Sequence, residues 1–135
     1  MGGYGAYAIA RRLPGRFCAI GGHSPALWLR AGDAAAGAFD DAADYARNDV
    51  LALARARGRD PWGRARLWLY GGDGDPFRAV TDAFAAALGV PARHPRGGYD
   101  GDSWEAQYGR CLRFYSSALS ISAGCGAANA IARSG

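Results

Sequence analysis

Three short stretches carry the groups that can do chemistry: "GGHSP" (21–25), "GGDGDP" (71–76) and "HPRGGYDGD" (94–102). Each follows an apolar run, so each sits where a strand would end. In open α/β sheets, ligands and catalytic groups gather at the carboxyl ends of the strands. An acid at the end of the second run and a base at the end of the third would match the chain order nucleophile, acid, histidine. Asp75, just before Pro76, is a candidate for that acid and also reads as a helix cap, and Asp73 is the second candidate for the acid. His23 and Ser24 resemble a base beside a nucleophile, but adjacent side chains point apart. The segment Ser24-Pro25 also lacks the strained strand-to-helix turn that exposes a nucleophilic serine. His94 reads as an edge or surface residue. Asp73 and Asp75 could offer oxygens to a hard cation, yet the remaining carboxylates of a calcium loop are missing, so no metal and no cofactor is expected.

These groups need elements to hold them. Residues 3–13 read as a helix closed by Pro14-Gly15. A buried strand follows over 16–22, with Cys18 as a small core residue, then the loop "HSPALWL". The Ala-rich stretch 32–58 is helical in pieces, with Asp33 as one cap and Asn48 or Asp49 as another. A second strand covers 64–72, an amphipathic helix 75–89 ending at Gly89, a weak strand 90–95, and a last helix 101–119. On that helix Trp104, Tyr108, Leu112 and Tyr115 recur at helical spacing. Residues 120–135 show no useful period and read as a loose tail. Strands and helices alternating in this way define an α/β class with a parallel sheet. With about three strands the sheet is incomplete, and its first strand has an unpaired edge.

Composition bounds the partners. Among 135 residues, half are apolar, enough for one packed domain, and the formal net charge is +4. All basic side chains are Arg, but they are interleaved with Asp rather than clustered, so nucleic acid is not an expected partner. Three cysteines, Cys18, Cys111 and Cys125, show no metal spacing. No apolar run reaches the ~20 residues of a membrane span. No secretory signal is visible, and localisation stays open.

The opening "MGGYGA" resembles the second half of a nucleophile elbow of the form G-x-S-M-G-G. That elbow belongs to a branch of the α/β-hydrolases that includes esterase D-like enzymes and the mycolyltransferase antigens. "GGHSPALW", "YGGDGDPF" with "AFAAAL", and "GGYD" with "SW" and "LRFY" resemble the same branch in order and spacing, over residues 1–119. The resemblance implies the C-terminal half of an α/β-hydrolase fold acting on acyl esters, short-chain or lipid-like. The nucleophilic serine would stand immediately before Met1. Met1 would match the residue whose N–H serves the oxyanion hole, and Asp75 the triad acid. Gly2, His23, Ser24 and Trp28 would line the pocket, with the 33–57 helices capping it. The family pattern G-G-H-D becomes "GGYD" here, so Tyr99 takes the place of the catalytic histidine. A phenol, ionising near pH ~10, is no base at neutral pH. The expectation is therefore a degenerate or partial serine esterase or acyltransferase without triad turnover, and prone to aggregate through its open edge. The alternative is a non-catalytic binding module built on the half-sheet.

Overall fold

The computed structural model describes residues 2–121. Met1 and residues 122–135 of the expected tail lie outside them, whereas Ser120 and Ile121 belong to the last helix rather than to a loose tail. Three apolar runs pair as parallel strands, β1 (Ala19–His23), β2 (Arg66–Tyr70) and β3 (Ala92–Arg93), in the order β1-β2-β3. Gly21 stands opposite Trp68 and His23 opposite Tyr70. Among the described residues, no strand pairs with the far edge of β1. Cys18 is half-buried and immediately precedes β1, outside both core clusters.

The helices are α1 (Gly2–Ala10), α2 (Ala42–Asn48), α3 (Val50–Arg57), α4 (Arg78–Leu88), α5 (Gly101–Glu105) and α6 (Tyr108–Ile121). Asp41 caps α2 by accepting from the Asp44 N–H at 2.6 Å, and Asp49 caps α3 by accepting from Ala52 at 2.9 Å. Asp33 caps neither helix: it closes a single 3-10 turn, Ala31–Asp33. Gly89 ends α4 in the left-handed conformation, φ +67°, which costs glycine nothing. The last helix is interrupted, because the chain tightens at Ala106–Gln107 before α6 begins.

Alternation along β2 divides the core. Leu67 and Leu69 join Ile20 against α1, α3 and α4, whereas Trp68 and Tyr70 face α5 and α6. On the first side Tyr7, Trp62 and Phe84 meet edge to face at 5.0 to 5.8 Å. Their polar ends are satisfied: the Tyr7 hydroxyl donates to the Trp68 carbonyl and the Trp62 indole N–H to the Tyr7 carbonyl. On the second side Arg93 lies 4.2 Å over the Trp68 ring.

Backbone contact fixes the loops at the carboxyl edge. A Cβ at Gly72 would collide with the Gly97 carbonyl, a backbone group that cannot swing away. Gly74 has room, its nearest neighbour at 3.5 Å. Gly72→Ala is therefore expected to cost about 2 kcal/mol through overpacking, and Gly74→Ala almost nothing. Urea titration reads this as a lower midpoint at unchanged slope for the first variant alone.

Candidate functional site

A cavity of about 630 Å³ opens at the carboxyl end of β1. Gly2 and Gly3 reach it from the first turn of α1, and Gly21 and His23 from β1. The remaining wall is aromatic and aliphatic: Tyr70, Tyr99, Trp104, Tyr108, Leu112 and Tyr115, with Cys111 among them. Helical spacing explains the shared wall. Residues 108, 111, 112 and 115 fall on one face of α6, and that face lies against β1.

His23 is the polar centre. Its Nε2 lies 2.8 Å from the Tyr115 hydroxyl and its Nδ1 3.4 Å from the Cys111 sulfur. The ring also meets Tyr70 edge-on at 5.2 Å. Burial lowers the imidazole pKa and raises the Cys111 thiol and the Tyr115 phenol. Tyr70 is pushed up to about 12, chiefly by burial. The cluster is therefore uncharged at neutral pH.

Asp75 lies on the same rim, after β2, and is 5% exposed. Its Oδ1 accepts from the Phe77 N–H at 2.7 Å, while Oδ2 is buried without a partner. The aspartate thus closes the turn ahead of α4 with one oxygen and leaves the other unused. Asp73 has a structural task, accepting from the Gly97 N–H at 3.0 Å. Tyr99 stands in the loop after β3, its ring 5.5 Å from Phe77 and 5.2 Å from Trp104. Asp100 caps α5, and its bonds from Ser103 hold its carboxyl below the usual range. His94 is committed elsewhere, Nδ1 to the Gly71 carbonyl at 3.0 Å and Nε2 to Asp82 at 2.6 Å.

Three placements differ from the sequence reading. Ser24 does carry a strained backbone, with φ +45°, rare for a residue with a side chain. It is buried, its Oγ accepts from the Trp104 indole N–H at 3.4 Å, and both nitrogens of His23 turn away from it. Trp28 does not line the cavity. It packs on Phe39 and Phe77, and its carbonyl accepts from the Tyr45 hydroxyl. Nor do the 33–57 helices cover the cavity, because α3 is buried against α1 and α4 on the opposite face. Trp28 instead joins an edge-to-face chain of rings: Tyr4, Phe39, Trp28, Phe77, Tyr99, Trp104.

Fold and site together define an α/β protein with a three-stranded parallel sheet and a ligand-sized apolar cavity at its carboxyl edge. Compared with known families, curated proteins and solved structures, the chain matches none. Among the described residues no helix is long and apolar enough to cross a membrane, and no group of three His, Cys, Asp or Glu is placed to hold a metal ion.

Cys111 was not singled out by sequence, though the face holding Tyr108, Leu112 and Tyr115 includes it. The half-buried His23 sets a pH dependence. Its folded pKa lies below the ordinary 6.5, so the unfolded chain binds the extra proton first. Its contribution to stability is present above about pH 6.5 and is lost as pH falls through the folded value. His23→Gln should flatten the fall in unfolding free energy between pH 7 and 5 relative to wild type, measured by urea titration.

Proposed function

We propose that residues 1–119 descend from the C-terminal half of an α/β-hydrolase of the esterase D-like and mycolyltransferase-like branch, and that the chain holds an acyl ester without serine-triad turnover. The observation that carries the reading is Asp75. A buried carboxylate at the end of β2, with one oxygen in a turn and the other unpartnered, is what the acid arm of a triad requires. The neighbouring cavity supports the substrate class, since a wall of aromatic and aliphatic side chains suits an acyl chain. First-turn N–H groups of a helix have no intrahelical acceptor, so Gly2 and Gly3 favour a carbonyl oxygen at the mouth.

The base is the weak point of catalysis. Tyr99 occupies the histidine position of the resembled family, and both described histidines bond to other partners. Those engagements equally favour the reading as a binding module, in which the same cavity takes an apolar ligand with no chemistry. The two differ in what Asp75 does. In the first it is the surviving arm of a triad, and in the second it only closes the turn onto Phe77.

Binding is tested with octanamide, an uncleavable acyl mimic, by isothermal titration calorimetry. Leu112 is exposed and lines the cavity; Leu119 is equally exposed on the same helix and does not. Leu112→Asp should weaken binding at least tenfold, ~1.4 kcal/mol, and Leu119→Asp should leave it unchanged. Absence of heat, or equal loss in both variants, would overturn the reading. Steady-state hydrolysis of p-nitrophenyl octanoate should be insensitive to Asp75→Asn.

A further inference from the structure

The cavity holds a second set of groups that a serine triad would not use. We infer that Cys111 and His23 form a nucleophile–base pair inside the cavity and that Cys111 accepts the acyl group of an activated ester bound there. The inference rests on the acyl-site reading above for its substrate class, but the pair itself rests on geometry.

The Cys111 sulfur lies 3.4 Å from His23 Nδ1, within reach of a thiol hydrogen bond, and His23 Nε2 lies 2.8 Å from the Tyr115 hydroxyl. With Nε2–H donating to the Tyr115 oxygen, Nδ1 presents a lone pair to the thiol. Tyr115 then has the orienting task that an acid has in other nucleophile–base pairs. It is fixed in turn: the hydroxyl lies over Gly21, where any Cβ would overlap it. All three side chains line the cavity, so the sulfur is buried from bulk solvent yet open to a ligand.

Burial keeps thiol and imidazole neutral at rest, so the sulfur attacks as its proton leaves. The S–C bond forms at the ester carbonyl while the thiol proton passes to His23 Nδ1. The C–O bond then breaks, the leaving oxygen takes that proton as an alcohol or phenol, and a thioester remains on Cys111. Electrons and atoms balance with the ester as the sole co-reactant. Carbonyl negative charge forms in a cavity that Gly2 and Gly3 enter from the positive end of the α1 dipole.

The test is intact-mass and peptide-mapping mass spectrometry after exposure to p-nitrophenyl octanoate, with iodoacetamide in parallel. The expected result is one octanoyl group on Cys111, formed about a hundredfold more slowly in His23→Gln. Tyr115→Phe, which keeps the ring, should slow it severalfold and still fold by circular dichroism; it decides the matter if His23→Gln is unfolded. Leu119→Asp, outside the cavity, should not change the rate. Acylation elsewhere, or at Cys111 with the same rate in both variants, would overturn the pair. No reaction with either reagent would do the same. Alkylation by iodoacetamide that depends on His23, with no octanoyl transfer, would leave the pair standing and sink the acyl-ester reading instead.

Discussion

Two adjacent residues without side chains, Gly21 and Gly22, set how closely anything approaches β1. On one face Tyr115 rests over Gly21. On the other Tyr7 and Leu69 close over Gly22. Side chains at these positions would push α6 and α1 away from the strand, separating the Tyr115 hydroxyl from His23 and opening the Tyr7–Trp62–Phe84 cluster. Glycine weakens a strand by itself. Here the loss is offset by aromatic rings packed on both sides, Tyr7 buried and Tyr115 half-buried, full burial of such a side chain being worth roughly 1.5–3 kcal/mol.

Much of this was legible in sequence. Apolar runs bounded by Pro and Gly located all three strands to within a few residues, because turn chemistry is local. The ends shifted where a side chain had a second use. Helix α4 starts at Arg78 rather than 75, since the Asp75 carboxylate closes the preceding turn onto Phe77. Asp33 has the composition of a cap without a helix to follow it. The break between α5 and α6 was hidden, because the apolar spacing of Trp104, Tyr108, Leu112 and Tyr115 runs straight across it.

The site was legible in part. The strand ends brought His23, Asp75 and Tyr99 to one edge for a topological reason, and the chain order alone implies it. Trp28 was misplaced because the segment "HSPALWL" leaves the strand through a positive φ at Ser24, which a serine does not announce. The contact between Cys111 and His23 spans 88 residues. Only the docking of α6 on β1 creates it, and no local pattern encodes that docking.

The ring chain from Tyr4 to Trp104 has an optical consequence. Tyr4, Trp28, Tyr99 and Trp104, held in a fixed asymmetric arrangement with Phe39 and Phe77 between them, give a near-ultraviolet circular-dichroism signal that vanishes when side-chain packing loosens while helices persist. The molecule therefore carries its own gauge of tertiary order, running from the α1–α2 region to the cavity wall and needing no added label.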